Sequence, residues 1–397
     1  MVKVLTALVI LCLSAVPISA EVAMETVWEM NREQNDVVTS VHADHDRFGL
    51  DLGVGAYGHW ESSDGLGLYV DELGLSYRGD RLLLSGGLLH HSMGQARLNE
   101  VFLSKSSPAF PSVRYDLGGD TWSYTKMLGD LSANQRLVDS IDEIEEFKRI
   151  GIHYFRWQPT PRLSLGFGEA FITVAPFTGD IFYHTVPFLP YYLVKYLPGI
   201  ETHVDNCRVY GDGELVLPAV TLYGELTVTE FPLTPKDNNR KLYAITLGVE
   251  TDQLLADWTV TGEICHITDE AYSNRNPEAV YARGHRSLGH PLGDDLTTVE
   301  LQLKREWEQI NTETRFGAYV QKLGYTDVKP WVDPVTDKVP HDAPEKVIGV
   351  KLGVHHVRNQ TGFQFDLNLG YANNFEHRLG ETGFKYAATA KLTWYLP

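Results

Sequence analysis

The chain has 397 residues, 43% of them hydrophobic and 22% charged, and its formal net charge is −18 at pH 7. Such a surface repels nucleic acid and other polyanions unless basic residues gather locally. Beyond the first twenty residues no stretch has the eighteen uninterrupted apolar residues that a membrane helix needs, and the most apolar one, 186–199, contains three prolines. A helical membrane protein is excluded, which leaves a secreted soluble protein or a β-barrel.

The first twenty residues have the pattern of a secretory signal peptide. Lys3 precedes an apolar run, and the run ends in the small-residue sequence Ile18-Ser19-Ala20 that a signal peptidase cuts. A lipoprotein signal needs a small residue before its cysteine, whereas Leu11 precedes Cys12. We therefore expect residues 1–20 to be removed by the ordinary signal peptidase.

Apolar and polar residues then alternate in segments of about ten residues, which is the period of a strand with two different faces. The clearest segment, 361–371, places Phe363, Phe365, Leu367, Leu369 and Tyr371 on one face and Gln364, Asp366 and Asn368 on the other. Segments 219–231 and 298–307 repeat this pattern with charged residues on the polar face. A barrel would turn that face to its lumen and the apolar face to lipid, whereas a soluble sandwich would turn the charges to solvent.

Eighteen strands are predicted in this way. They are 22–30, 37–45, 48–59, 66–78, 81–90, 111–117, 121–130, 147–158, 161–174, 204–216, 219–231, 241–251, 255–266, 296–308, 311–323, 345–357, 360–372 and 384–396. Short connections such as Asp46-Arg47 alternate with long ones around 91–110, 131–146, 175–203, 267–295 and 324–344. Bacterial barrels have tight periplasmic turns and long outer loops, and an even strand count places both termini in the periplasm.

The predicted fold is therefore all-β. Residues 21–397 are expected to form a transmembrane antiparallel β-barrel of about 18 strands in the cell outer membrane, with long extracellular loops and short periplasmic turns. Cys207 and Cys265 fall on strands that are not neighbours, so we expect no disulfide between them.

Three segments resemble the capsule-assembly Wzi family of outer-membrane proteins. They are LNEVFLSKSSPAFPSVRYDL at 98–117, PRLSLGFGEAFI at 161–172 and RGHRSLGHPLGDD at 283–295. The resemblance lies in their order and spacing and extends over most of the mature chain. It implies an eighteen-stranded barrel that acts as a surface lectin and helps exported capsular polysaccharide attach to the cell. The best-known members of this family are longer and carry an N-terminal helical portion on the periplasmic side, whereas here the first predicted strand begins almost at the cleavage site.

The 175–203 connection is rich in aromatic residues. Flat rings stack on the apolar faces of sugars, so Tyr183, Tyr191 and Tyr192 are candidate saccharide ligands. The alternative is that these rings pack on one another as an apolar cap over the barrel mouth, and both interpretations can hold together.

The 267–295 connection concentrates histidines and acids among glycines. His266, His285, His290, Asp294 and Asp295 can ligate a divalent metal, but their spacing matches no established zinc motif. The alternative is a folded loop whose glycines turn the backbone and whose histidines form hydrogen bonds. We predict no metal and no cofactor, and we assign Arg283, His285 and His290 to glycan binding.

One helix is predicted, at 131–147. Ser132 and Gln135 form a possible capping box, and Leu137, Val138 and Ile141 lie on one side. A short helix in an outer loop, with its acids on a solvated face, accounts for this pattern.

Inward carboxylates are numerous, and two of them can in principle serve as the acid and base of a glycosidase. The candidates are Glu225, Glu300, Glu313 and Asp366. Wide barrels usually line their lumen with such groups and with basic partners, here Lys304, Arg315 and Lys385. No serine, histidine and carboxylate set indicates a lipase. The sequence therefore favours a protein without enzymatic activity.

The predicted function is that of a lectin-like barrel that binds surface (capsular) polysaccharide and aids its attachment or assembly. The alternative is a porin-like diffusion channel, because eighteen strands with a polar inner face can enclose water. Expected partners are capsular or other surface polysaccharide, outer-membrane lipid and a polysaccharide exporter, with no nucleic acid. Because many capsules are acidic like this chain, binding requires local basic residues, bridging divalent ions or a neutral glycan.

Overall fold

The computed structural model of the chain describes residues 21–31, 34–59, 67–132, 148–174, 190–191, 206–229, 242–255, 257–274, 279–283, 286–324, 344–358 and 360–396. Within these ranges the barrel strands are β1 (Glu21–Asn31), β2 (Gln34–His45), β3 (Phe48–His59), β4 (Gly67–Arg78), β5 (Leu82–Leu89), β6 (Phe110–Gly118), β7 (Trp122–Asp130), β8 (Arg149–Thr160), β9 (Leu163–Thr173), β10 (Asn206–Val216), β11 (Thr221–Thr229), β12 (Tyr243–Leu255), β13 (Trp258–Ile267), β16 (Leu296–Trp307), β17 (Thr312–Leu323), β18 (Glu345–Arg358), β19 (Thr361–Asn373) and β20 (Thr382–Leu396). Two short strands, β14 (Ala282–Arg283) and β15 (Arg286–Ser287), pair as a small hairpin between β13 and β16.

The eighteen long strands form one closed antiparallel barrel. Each pairs with its neighbours along the chain, and β1 closes the cylinder by pairing with β20, where Met24 lies opposite Trp394. Each predicted strand corresponds to one of these strands, so the predicted strand number is confirmed. The predicted helix at 131–147 lies almost entirely outside the described residues. No helix in the described part of the chain is long and apolar enough to cross a membrane.

The connections differ between the two ends of the barrel. At the end that carries both chain termini, here called the terminal end, they are 46–47, 79–81, 119–121, 161–162, 217–220, 256–257, 308–311 and 359–360. Asp46, Asp257 and Asn311 have positive φ at these turns, a conformation that Asp and Asn tolerate better than most residues.

The opposite end, here called the loop end, carries the longer connections. They include 90–109, 131–148, 174–205, 230–242, 268–295 and 324–344. The connections 32–33, 60–66 and 374–381 at this end are shorter. The shorter connections of the loop end therefore lie together, from β19 through β20, β1, β2 and β3 to β4.

The outer face of the barrel is apolar. Residues that pair directly across neighbouring strands point to the same side, and large apolar side chains recur at the outward positions of nearly every strand. Ile348 is 66% exposed and Phe384 is 74% exposed. A soluble protein rarely leaves so extended an apolar surface in water, so this surface is suited to lipid.

Inside the barrel, the half formed by β6 to β13 is filled. In the described part of the chain two connections turn into the lumen. One is residues 91–104, here called the plug, and the other comprises residues 268–274, 279–283 and 286–295, here called the cover. Phe102 of the plug stacks on Tyr210 of β10 with ring centroids 4.2 Å apart. The buried apolar core that joins plug, cover and wall includes Val101, Phe102, Leu103, Met127, Ile152, Tyr210, Tyr272, Tyr281 and Leu288.

Cys207 and Cys265 are both free and buried. Cys207 occupies an outward position of β10, opposite Phe171, and Cys265 an inward position of β13, opposite Thr246. The expected absence of a disulfide between them agrees with this placement, because the two thiols lie on different faces of strands that are not neighbours.

Candidate functional site: a plugged lumen and its open wall

Two buried carboxylates of the barrel wall hold the plug by its main chain. The first is Glu225 at an inward position of β11. Its Oε1 accepts a hydrogen bond from the Ala96 N–H at 2.6 Å, and its Oε2 accepts one from the Val101 N–H at 3.1 Å. Both N–H groups would otherwise be unsatisfied inside the barrel, where an unpaired donor is costly. Glu225 thus fixes the plug at Ala96 and Val101, the two ends of its tip.

The second carboxylate, Glu263 on β13, holds the centre of the tip. Its two oxygens accept the N–H groups of Arg97, Leu98 and Asn99 at 2.7, 3.1 and 2.8 Å. The Tyr223 hydroxyl donates to the same carboxylate at 2.8 Å. The N–H groups that a loop inside a barrel would otherwise leave unsatisfied are thereby paired.

Gly94 allows the plug to approach Glu225. Its φ is +142°, and a Cβ at this position would lie 2.0 Å from Glu225 Oε1. Only glycine combines this backbone conformation with such a close approach.

Arg97 shows how far the plug extends. Its Nη2 donates to Glu214 Oε2 at 2.5 Å, its Nε lies 3.9 Å from Glu250 Oε2, and its guanidinium lies 4.9 Å from the centroid of the Tyr223 ring. Glu214 is two residues from the end of β10 at the terminal end. The Arg97 side chain therefore extends from the plug toward the terminal end of the lumen.

The cover lies on the plug. The Tyr272 hydroxyl donates to the Val101 carbonyl at 2.8 Å and accepts the His290 N–H at 3.1 Å. His290 Nε2 lies 3.2 Å from Asn99 Oδ1, and the residue is only 4% exposed. Burial lowers the pKa of His290 to about 3, so its ring is neutral at physiological pH.

Arg208 of β10 clamps the cover from the wall. Its Nη1 donates to the Ala271 carbonyl at 2.5 Å, and its guanidinium lies 5.2 Å from the Tyr272 ring centroid and 4.3 Å from that of Tyr281. A guanidinium over aromatic faces gains cation–π attraction, which increases when water is excluded. Arg208 is 1% exposed.

Asp294 closes the cover on itself. Its carboxyl accepts the Tyr272 N–H at 2.6 Å and the Ser273 hydroxyl at 2.8 Å. Burial raises the pKa of Asp294 to about 7, although these hydrogen bonds oppose the shift. The metal site that the sequence suggested as an alternative included both Asp294 and His290. Among the described residues, no three His, Cys, Asp or Glu side chains are arranged to hold a metal ion.

The predicted glycan ligands of the cover and its hairpin have different surroundings. Arg283 donates through Nη1 to the Ala109 carbonyl, and burial lowers its pKa. His290 is buried against Asn99, as above. His285, Tyr183 and Tyr192 lie outside the described residues.

Tyr191 lies on the outer side of the barrel wall, not in the mouth. It is 1% exposed, and its ring stacks on His153 of β8 at 4.5 Å and meets the edge of Phe171 at 4.3 Å.

Three polar side chains lie beneath the Tyr191 ring. Lys126 of β7 places Nζ 4.5 Å from the ring centroid, and His153 Nε2 lies 3.2 Å from Glu169 Oε2 on β9. These polar groups occupy outward positions, in register with exposed Phe155 and Phe167 on the same strands. Lys126, His153 and Glu169 form what we call the outer polar cluster, and Tyr191 covers it.

The inward carboxylates that suggested hydrolysis have structural partners. Glu300 pairs with Lys351 at 2.6 Å, and Arg315 lies 3.1 Å from Glu313 and 3.7 Å from Asp366. The predicted basic partners are also inward and paired. Lys304 lies 3.6 Å from Glu313, and Lys385 pairs with Glu345. Together with the plug contacts of Glu225, these pairs account for all four candidate carboxylates.

The wall formed by β20, β1 and β2 differs from the filled half. Each inward side chain whose exposure is described on these three strands is at least partly accessible to water. They are Lys385, Ala387, Thr389, Lys391 and Thr393 on β20, Ala23, Glu25, Val27 and Glu29 on β1, and Asp36, Val38, Ser40, His42 and Asp44 on β2. We call this surface the open wall.

The sequence did not predict that the plug enters the lumen or that the wall opposite it stays open. The available indication of the plug was an excess of inward acids on β11 to β13, together with the long connection after β5. The outer polar cluster also had a signal, since Lys126, His153 and Glu169 interrupt the apolar parity of three neighbouring strands.

No protein-family model and no curated protein sequence matches the chain. Among solved structures, it is similar to Wzi, an outer membrane protein involved in group 1 capsule assembly in Escherichia coli and described as a carbohydrate-binding β-barrel. The TM-score is 0.66 at 14% identity, over 99% of this chain and 88% of that one.

Two Pseudomonas aeruginosa structures are also similar. OprD has a TM-score of 0.53 at 10% identity, over 95% of this chain and 94% of its own. OccK5 (OpdH) has a TM-score of 0.55 at 8% identity, over 95% of this chain and 98% of its own. The chain therefore has the β-barrel fold that it shares with Wzi and with OprD-type outer membrane proteins.

Proposed function

We propose that the protein is a lectin-like barrel of the cell outer membrane that binds surface (capsular) polysaccharide and aids its attachment or assembly. The filled half of the lumen carries this proposal. Plug and cover are fixed by buried hydrogen bonds to Glu225, Glu263 and Arg208, so the loop end there is a rigid platform and not a wide pore. The fold likeness to a carbohydrate-binding barrel supports the same function.

The apolar outer face supports insertion in the outer membrane. In this proposal residues 1–20 direct export and are removed, the terminal end faces the periplasm, and the loop end faces the medium. A polysaccharide exporter would approach from the periplasmic side, and lipid would surround the outer face.

The glycan would be contacted by the loop-end connections, with Tyr183, Tyr192, Arg283 and His285 as ligands. Tyr191 and His290 would contribute by fixing the backbone beside these residues, because both are buried in the described structure. The proposal includes no covalent step, since the inward carboxylates are engaged in holding the plug or in ion pairs.

The charge of the chain constrains the glycan. With a net charge of −18, tight binding of an acidic polymer would require locally gathered basic residues or a bridging divalent cation, so a neutral glycan is the simpler partner. Binding of purified polysaccharide should therefore be compared in calcium and in chelator. Loss of binding in chelator would mean that a divalent cation bridges protein and glycan, and unchanged binding would mean that the two are in direct contact.

Gene deletion tests the function in cells. We expect capsule to be released into the medium while its total synthesis is unchanged, and the wild-type gene should restore attachment. A Tyr183→Ala/Tyr192→Ala double variant should fail to restore it, whereas Tyr386→Ala, on the outer face of β20, should succeed. Unchanged cell-bound polysaccharide in the deletion strain would refute the proposal.

A further inference from the structure

The open wall extends from one end of the barrel to the other. On β20 every inward residue is accessible to water, from Lys385 near the loop end to Thr393 near the terminal end. Ala387 is the most exposed of them. By contrast Ile152, Tyr210 and Glu225 on the filled half are buried. The plug thus fills the lumen eccentrically and leaves a water-accessible strip opposite it.

The connections at the loop end beside this strip are short. The β1–β2 connection is 32–33 and the β19–β20 connection is 374–381, whereas the plug and cover connections are 90–109 and 268–295. At the terminal end, exposed Asp44 marks the other opening of the strip. Both ends of the open wall are therefore bordered by short connections.

The open wall has a negative charge balance. Its inward acids are Glu25, Glu29, Asp36 and Asp44, and its inward lysines are Lys385 and Lys391. Lys391 pairs with Glu25 at 2.6 Å and His42 with Asp51 of β3 at 2.7 Å. Lys385 pairs with Glu345 of β18. The positive charge of Arg286, a residue of the cover, attracts Glu29. Acids still outnumber bases on these three strands, and a water-filled path with negative walls concentrates cations.

We propose that a narrow water-filled passage runs past the plug along the open wall and conducts small monovalent cations. This activity is separate from glycan binding, because the passage follows the wall that the plug does not fill, whereas the glycan would be held by loop-end connections. The polar inner face and the persistent water access of β20, β1 and β2 provide the path, and the acids of β1 and β2 provide the selectivity.

Planar-bilayer recording of the purified full-length protein in potassium chloride tests the passage. We expect small, stable unit conductances and, under a salt gradient, a reversal potential displaced toward that of potassium. Ala387→Trp places an indole in the strip and should abolish most of the conductance. Ala388→Trp, the next residue, points to lipid and should leave it unchanged. Heat-modifiable electrophoretic mobility shows that each variant is folded.

Selectivity is tested separately. Asp44→Asn should move the reversal potential toward zero while glycan binding is unchanged, because Asp44 lies on the open wall at the terminal end, away from the loop-end connections. The proposal is overturned if folded wild-type protein shows no unit conductance, or if Ala387→Trp and Ala388→Trp conduct equally. Large conductances that survive Ala387→Trp would place the path through the filled half and would also overturn it.

Discussion

His290 Nε2 lies 3.2 Å from Asn99 Oδ1, a contact between residues 191 positions apart in the chain. The ring must carry its proton on Nε2, because Asn99 Oδ1 is an acceptor, while Nδ1 accepts the Leu292 N–H at 3.2 Å. A neutral imidazole satisfies both bonds, and an imidazolium cannot. Attachment of the cover to the plug is therefore linked to pH.

His290 and Asp294 should give opposite pH dependences. The pKa of His290 falls from 6.5 to about 3 on folding, so its contribution to stability is lost as pH falls below 6.5. The pKa of Asp294 rises from 3.8 to about 7, so the folded cover gains stability as pH falls from 7 toward 4. His290→Gln should leave only the second trend, and Asp294→Asn only the first. Protease protection of the cover measured from pH 4 to 8 checks both, and parallel slopes in the two variants would contradict the assignment.

Loss of Glu263 should release the plug. In Glu263→Ala the N–H groups of Arg97, Leu98 and Asn99 lose their acceptor inside the barrel. We expect a cost of about 3–5 kcal/mol in unfolding free energy, since a buried charged acceptor is removed from several donors. Urea titration and trypsin cleavage after Arg97 measure the effect. Glu313→Ala, a lumen acid with no contact to the plug, is the control and should remain protected from trypsin at Arg97.

A methyl group at Gly94 should displace the loop tip. Gly94→Ala combines a φ of +142° with a Cβ 2.0 Å from Glu225 Oε1, so we expect a loss of about 2 kcal/mol. Gly118→Ala is the matched control, because a Cβ there meets nothing within 4 Å. Thermal unfolding of both variants checks the prediction, and equal midpoints would show that the plug accommodates the methyl group.

Arg208→Lys should weaken the clamp on the cover. Lysine keeps the charge but loses the planar group that lies over Tyr272 and Tyr281, so we expect a loss of about 1–2 kcal/mol. Arg47→Lys, at a half-exposed turn of the terminal end, should cost little. Urea midpoints measure the difference, and the interpretation fails if the two substitutions destabilise equally.

The strands could be predicted from the sequence because their alternation is local. The run from Phe363 to Tyr371 reveals both faces of β19 without knowledge of its neighbours. The plug could not be predicted, because its decisive contacts are hydrogen bonds between main-chain N–H groups and carboxylates. Ala96 and Glu225 are 129 positions apart, and main-chain donors leave no residue pattern.

Among the candidate ligands, Arg283 and His290 were recognised as polar residues of one loop, but their partners Ala109 and Asn99 come from the distant plug connection. Tyr191 was assigned to the barrel mouth because its neighbours are aromatic. Its place outside the wall depends on its contacts with Lys126 and His153 of two neighbouring strands, and only the fold reveals that arrangement.

The outer polar cluster gives the barrel a distinct side. Acyl chains are a poor environment for lysine and glutamate, and Tyr191 separates Lys126, His153 and Glu169 from whatever surrounds the protein. Among the described residues, outward apolar side chains such as Phe155 and Phe167 are exposed for contact with lipid, whereas Tyr191 covers the wall at the outer polar cluster. Annular lipids and neighbouring membrane proteins therefore meet unequal sides, so the molecule has a front and a back in the plane of the membrane.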